Sequence, residues 1–365
     1  MIMSTFEQFG LPPSIGKALQ ALKFETPTPI QVKAIPPGLE GRDVMGMAQT
    51  GTGKTAAFAI PMCVRLMANP QASALILAPT RELAMQIHEF VKELAGKNFN
   101  LSPALVIGGM SMRQQNNQLR AGSRILIATP GRLVDHLRSQ PKLLWHSSIL
   151  VLDEADRMLD MGFAPQLKQI FRHLPKARQT MMFSATFPPE IKRMANELLH
   201  KPVECSVGQP STAVQKINQA IVQTTQKEKN GVLLDELNAR EGSVLIFTRT
   251  KHRTDRLSKY LDSYGYRVTR IHGNRTQGQR KQAIDGFRSG AFRILVATDI
   301  AARGLDIADI AHVINYDLPQ VPEDYIHRIG RTARNGKGGQ ALAMLTPEDR
   351  TMWRSISRIA KFDNN

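Results

Sequence analysis

Asp43-Val44-Met45-Gly46-Met47-Ala48-Gln49-Thr50-Gly51-Thr52-Gly53-Lys54-Thr55 reads as a short apolar strand, a glycine-bearing loop and the opening of a helix. Residues 48–55 form a P-loop, with Ala48 in place of the first glycine of the strict pattern. Gly51 and Gly53 let backbone N–H groups turn into one concavity that can surround phosphates. Lys54 is placed to reach the β- and γ-phosphates, and the Thr55 hydroxyl to ligate Mg²⁺. The helix that begins here adds positive partial charge at the same point. Ala48, Gln49, Thr50, Gly51, Thr52, Gly53, Lys54 and Thr55 are therefore the candidate phosphate-binding residues. A plain Gly-rich turn is the competing reading, and Gly-Lys-Thr between a strand and a helix argues against it.

A second cluster completes the chemistry. Asp153-Glu154-Ala155-Asp156 follows the apolar run Ile149–Leu152. An acid at the carboxyl end of a buried strand is where a P-loop enzyme holds its Mg²⁺, which assigns Asp153 with Thr55 as the metal pair. The neighbouring acid, Glu154, can orient the attacking water. Alone, this tetrapeptide could be a helix N-terminus enriched in acids; beside a P-loop it reads as the second half of an NTP-hydrolysing site.

Outward from these motifs, short apolar runs alternate with longer amphipathic stretches, as in mainly parallel α/β sheets. The first series runs through residues 43–48, Ser73–Ala78, Leu105–Ile107, Arg124–Ala128, Ile149–Leu152 and Thr180–Phe183. The second runs through Ser243–Phe247, Arg267–Ile271, Arg293–Ala297, Ala311–Tyr316 and Ala341–Leu345. Each predicts a doubly wound sheet. The polar, uncharged stretch Ser206–Ser211 separates them and suits a short hinge. The expected division is 1–207, a linker at 208–211, and 212–365.

At 365 residues the chain is long enough for two hydrophobic cores. The 48 Lys+Arg outnumber 31 Asp+Glu, a net charge of +17 that points to a polyanionic partner or serves solubility. Residues 1–209 carry 23 bases against 15 acids and residues 210–365 carry 25 against 16, so both halves are basic. A polyanion lying across both fits that balance better than one held by a tail. Two cysteines, Cys63 and Cys205, with no C-x-x-C pair, argue against a disulfide framework or zinc site. No apolar run approaches the roughly 18 residues of a membrane helix, and residues 1–7 carry no secretory signal. The expectation is a cytoplasmic protein without membrane contact.

The remaining motifs add a family. Phe24 and Pro27-Thr28-Pro29-Ile30-Gln31 precede the P-loop; Pro79-Thr80-Arg81-Glu82-Leu83-Ala84, Gly108-Gly109, Thr129-Pro130-Gly131-Arg132 and Ser184-Ala185-Thr186 follow it. The second half contributes Ala297-Thr298-Asp299-Ile300-Ala301-Ala302-Arg303-Gly304-Leu305-Asp306 and His327-Arg328-Ile329-Gly330-Arg331-Thr332-Ala333-Arg334. Their order resembles that of the DEAD-box RNA helicases over nearly the whole chain, with an overall look similar to the bacterial RhlE-like branch. The resemblance implies two RecA-like domains that bind ATP and RNA in the cleft between them, in a monomer.

It also implies roles. Gln31 resembles the residue that pairs with adenine, and Phe24 the aromatic that stacks on it; a bidentate amide suits adenine. Arg331 and Arg334 resemble arginine fingers, which supply charge where the transferring phosphoryl group becomes more negative. Asp306 resembles the ribose-binding residue. Asp156, Ser184, Thr186 and His327 look like the links between ATP state and RNA. The RNA-contacting set implied is Thr80, Arg81, Gly109, Thr129, Gly131, Arg132, Arg249, Gly273, Gln277, Arg280, Thr298 and Arg303. Each has a plainer alternative as a turn, a helix cap or a surface charge. Aromatics at 6 % are not interleaved with bases, so contact through the backbone of single-stranded or short duplex RNA is expected rather than base stacking.

Two departures stand out. Ala333 occupies a position where the family commonly has glycine, and after Lys361 the stretch Phe362–Asn365 lacks the basic or Arg-Gly-rich tail of many relatives. Two other functions compete. An ATP-gated RNA clamp without turnover is opposed by intact Glu154, Arg331 and Arg334, and a DNA translocase by the segment around Gln31 and the DEAD tetrapeptide.

Overall fold

The computed structural model describes residues 5–48, 51–96, 101–207, 217–302, 310–332 and 339–360. The expected linker 208–211 lies outside them. The chain divides into two compact units, Met1–Gly208 and Gln209–Asn365.

In the first unit the described strands are β1 (Val44–Met47), β2 (Ser73–Leu77), β3 (Pro103–Val106), β4 (Ile125–Ala128), β5 (Ser147–Leu152), β6 (Gln179–Ser184) and β7 (Val203–Ser206). They form one parallel sheet in the order β3-β4-β2-β5-β6-β1-β7. A parallel sheet covered on both faces needs strands that are apolar on both faces, and β3 and β4 are buried along their whole length. Ile76, Ile127 and Val151 face a core shared with the helix Lys54–Ala68, while Leu75, Leu77 and Leu150 face a second core on the other side. β1 lies between β6 and β7, so its path to β2 crosses two strands in one direction while the connection from β6 to β7 passes β1 in the other. That reversal marks the crevice where open α/β sheets bind ligands, at the carboxyl ends of the strands.

β7 was not legible as an apolar run. Only Cys205 of its four residues is buried. It is placed by tertiary contacts instead: Val203 N–H donates to Asp43 O at 2.8 Å. The buried Asp43 carboxylate accepts from Thr180 N and His200 N, each at 2.7 Å, tying the approach to β7 to the starts of β1 and β6.

The second unit holds β8 (Ile217–Gln223), β9 (Val244–Phe247), β10 (Val268–Ile271), β11 (Ile294–Ala297), β12 (His312–Asn315) and β13 (Gly339–Leu345). These too are parallel, in the order β10-β11-β9-β12-β13-β8. β9, β11 and β12 are buried throughout and form the centre. β8 is an edge strand of sequence INQAIVQ, mostly exposed, and it pairs with β13 over seven residues. Its polar composition hid it from any search for apolar runs. No described helix is long and apolar enough to cross a membrane.

Candidate functional site

The sheet order of the first unit brings the carboxyl ends of β5, β6 and β1 side by side, and each carries a motif. Ala48 N–H donates to Ser184 O at 3.1 Å and Asp153 N–H to Leu77 O at 3.0 Å, which sets the P-loop, the acidic cluster and Ser184-Ala185-Thr186 on one edge. Gln49 and Thr50 lie outside the described residues. Gly51 and Gly53 adopt φ of +84° and +89°, a region that side chains disfavour. A Cβ on Gly53 would also come within 2.4 Å of Gln31 Nε2. The helix Lys54–Ala68 starts directly after Gly53, so its first N–H groups face the loop. Thr55 occupies its second position, half-buried. The Lys54 side chain folds back over the loop, and its Nζ donates to Ala48 O at 3.0 Å.

Gln31 is buried and carries two tasks. Its Oε1 accepts from Thr28 N at 2.9 Å, closing the capping box of the helix Pro29–Leu39, and its Nε2 donates to Gly53 O at 3.1 Å. A primary amide keeps one further donor and one further acceptor site, the pair that adenine recognition uses. Phe24 is half-buried between the rings of Phe6 and Phe90, at 6.1 and 5.7 Å between centroids.

Asp153 is 2 % exposed, and its Oδ1 has no hydrogen-bond partner among the described residues. Burial raises its carboxyl to about 6; the charge of Lys54 opposes the rise and that of Glu154 adds to it. A buried, unpartnered carboxylate oxygen within the field of the P-loop lysine fits a hard divalent cation that takes most of its remaining ligands from phosphates and water. No cluster of three or more His, Cys, Asp or Glu side chains that could hold a metal alone occurs among the described residues. Glu154 has φ +53° and ψ +53°, left-handed for a residue with a side chain, a strain of the sort that collects at functional sites. Its Oε2 accepts from Arg157 Nη1 at 2.9 Å, with both side chains buried.

Asp156 joins two motifs. Its backbone N–H donates to Ser184 Oγ at 3.2 Å, while its Oδ2 accepts from Ala185 N (3.2 Å), Thr186 N (2.9 Å) and Thr186 Oγ1 (3.0 Å). Along the same edge, Arg81 lies over the turn that follows β3. A Cβ on Gly109, whose φ is +82°, would come within 2.5 Å of Arg81 Nη1. Arg132 Nη1 donates to Met110 O at 3.0 Å, bracing this turn from the other side. Gln115 adds two bonds to it, to Ile107 O and Met110 O, and accepts from His136 Nε2. Thr80 is 5 % exposed and its hydroxyl caps the helix Arg81–Ala95 through Leu83 N, the plainer of its two readings. Thr129 stands before the helix Pro130–Ser139 without a side-chain cap bond, and a Cβ on Gly131 would meet open space.

The second unit has its own edge. Arg249 follows β9; its N–H donates to Asp317 Oδ2 at 2.9 Å, while its guanidinium remains 43 % exposed and lies 3.7 Å from Asp349. Thr298 follows β11 and is half-buried, and Gly273 follows β10 in the open. Gln277 opens the helix Gln277–Arg288, whose Arg280 is 7 % exposed. His327 faces Asp324 at 3.7 Å, and Arg331 is 3 % exposed. Arg303, Asp306 and Arg334 lie outside the described residues.

Three arginine and glutamine positions escaped the sequence reading. Arg157 restrains Glu154, at the i, i+3 spacing that a helix permits. Gln115 braces the Gly108-Gly109 turn from a stretch with no motif of its own. Arg328 holds Asp299 with two bonds, at 2.6 and 2.7 Å, and also reaches Asn315 Oδ1 at 2.9 Å and packs over the Phe247 ring. Arg328 and Asp299 sit inside quoted motifs, which is the signal that was there to find.

Residues 28–194 match the DEAD/DEAH box helicase family, and residues 228–336 match the helicase conserved C-terminal domain. The chain is 42 % identical over 361 residues to an ATP-dependent RNA helicase CshA of Listeria monocytogenes, covering 98 % of this chain and 69 % of that protein. It is 42 % identical over 344 residues to a DEAD-box ATP-dependent RNA helicase RhpA of Helicobacter pylori, covering 94 % and 70 %. Among solved structures it is similar to S. cerevisiae Dbp5 bound to RNA and ADP BeF3, with a TM-score of 0.86, 34 % identity and coverage of 97 % and 93 %. A second similar structure is Mss116p bound to ssRNA and AMP-PNP, with a TM-score of 0.88, 30 % identity and coverage of 99 % and 78 %. The motifs on both sheet edges and the likeness along the whole chain have one explanation: the chain belongs to the DEAD-box family of ATP-dependent RNA helicases.

Proposed function

We propose that this protein hydrolyses ATP to ADP and phosphate under stimulation by RNA, and couples the cycle to local opening of short RNA duplexes. One observation carries the reading: Asp156, in the acidic motif, holds Ser184, Ala185 and Thr186 through four hydrogen bonds on the same edge as the P-loop. A change at the nucleotide therefore has a rigid path to the neighbouring loops. Lys54 and the N–H groups of Gly51–Thr55 hold the phosphates, and Gln31 with Phe24 selects adenine. Asp153 and the Thr55 hydroxyl would hold Mg²⁺, which when bound would supply positive charge against the phosphoryl oxygens. Glu154 accepts a proton from the attacking water. Arg331 and Arg334 enter as arginine fingers when the two units close on ATP, with Asp306 at the ribose and His327 relaying the nucleotide state.

RNA is bound through its backbone. Arg81, Gly109, Thr129, Gly131 and Arg132, with Thr80 placing Arg81, form the contact of the first unit; Arg249, Gly273, Gln277, Arg280, Thr298 and Arg303 form that of the second. The protein works as a monomer in the cytoplasm. ATPase rates with RNA, with DNA and with no nucleic acid test the assignment, with Lys54→Ala as the inactive control. Stimulation by RNA alone is expected. Equal stimulation by DNA would point to a DNA translocase, and bound RNA without turnover to a clamp.

A further inference from the structure

The helix Arg350–Ala360 has two unlike faces. Ile356 and Ala360, with Met352 and Trp353 beside them, pack into the core that holds Tyr325 and Ile329. On the opposite face Arg350, Arg354 and Arg358 recur at every fourth residue, and all three are exposed. The helix contains no Asp or Glu, and none of the three arginines has an ion-pair partner among the described residues. Like charges at i, i+4 oppose helix formation, so this stripe works against its own helix unless something anionic covers it.

The stripe starts beside the edge to which RNA binding was assigned. Asp349, the residue just before the helix, accepts from Thr346 N and Oγ1 at 3.0 and 2.9 Å and lies 3.7 Å from Arg249. That fixes the first arginine next to the loop after β9. Successive arginines climb by about 6 Å per four residues, a repeat that lets neighbouring guanidinium groups take neighbouring phosphates of one strand. Arginine forks suit phosphate oxygens. Thr351 flanks the stripe with an exposed hydroxyl, while the hydroxyls of Ser355 and Ser357 donate to Thr351 O and Arg354 O within the helix. A membrane surface fits less well, because the apolar face that would enter a bilayer is already spent on the core.

We propose that Arg350, Arg354 and Arg358 form an accessory contact for the RNA backbone, extending the RNA-binding edge of the second unit beyond the family motifs. This rests on the RNA-helicase reading. The stripe adds affinity for strands long enough to leave the motif-lined edge and contributes nothing to hydrolysis.

The test uses the full chain carrying Arg354→Gln and Arg358→Gln, away from Asp349 and every assigned site residue. Binding to a short and a long unstructured RNA is measured at two salt concentrations with a non-hydrolysable ATP analogue. The ATPase rate at saturating short RNA is measured alongside. The expected result is at least a fivefold loss of affinity for the long strand, with the salt slope reduced by roughly 1.4, from about 0.7 for each phosphate no longer neutralised. Short-strand affinity and stimulated ATPase stay at the parent level, and lysines at the two positions restore most of the long-strand affinity. Unchanged long-strand binding, or equal loss on both lengths, would overturn the proposal. The parent chain's response to short RNA reads the helicase assignment separately, so the two failures are distinguishable.

Discussion

Arg157 Nη1 donates to Glu154 Oε2 across 2.9 Å, and both side chains are 3 % exposed. The pair fixes the carboxylate that the proposed reaction needs, on a backbone held in the left-handed region. Removing one partner of a buried ion pair costs about 3–5 kcal/mol, because the other charge is left uncompensated. Arg157→Ala should therefore melt well below the parent protein and hydrolyse ATP more slowly. Calorimetry with turnover on the same preparation checks it; unchanged melting would show that the pair is not holding Glu154.

Glu154→Gln separates chemistry from binding. The amide keeps the shape of the side chain but cannot take a proton from water, so ATP and RNA stay bound while hydrolysis falls by about 10²–10⁴. RNA retention in the presence of ATP measures this. A variant that releases RNA as fast as the parent under turnover would remove Glu154 from its assigned role.

Asp153 gives a pH signature. Burial raises its carboxyl to about 6, above the ordinary aspartate value near 4 that the unfolded chain retains. A raised acid favours the folded state most below the unfolded value, and that contribution disappears as pH rises through 6. At neutral pH the buried carboxylate is thus a cost that a bound cation relieves. Thermal stabilisation by Mg²⁺ and ATP should be larger at pH 7.5 than at pH 5, where the protonated acid ligates poorly. Equal stabilisation at both would contradict Asp153 as a ligand.

Arg331 tests the contribution of the second unit. Arg331→Ala should leave ATP affinity within a few fold, since the proposed ATP contacts of the first unit are untouched. The RNA-stimulated rate should fall by about 10³–10⁵, the usual worth of an arginine finger. Arg331 is 3 % exposed, so loss of folding is monitored by melting, and Arg331→Lys, which keeps the charge but not the fork, should also lose most stimulation. Retained stimulation in both would remove the finger.

The parallel α/β character of both halves, the P-loop and the acidic cluster were legible because each is written in consecutive residues. Buried parallel strands are apolar on both faces, so β2, β4, β5, β9 and β11 announce themselves as short runs of Leu, Ile and Val. Phosphate binding needs backbone N–H groups from adjacent residues, so it too is local in the chain. The edge strands β7 and β8 were not legible, because an edge strand is specified by the neighbour that supplies its hydrogen bonds rather than by its own apolar content. Which motifs meet was decided by sheet order: only the placement of β6 between β5 and β1 brings Asp156 within reach of Ser184 and Thr186. The same holds for Arg328 and Asp299, 29 positions apart, and for Gln31 and Gly53, 22 apart. A side chain's identity states what it can bond to; the partner it finds is a property of the packed sheet.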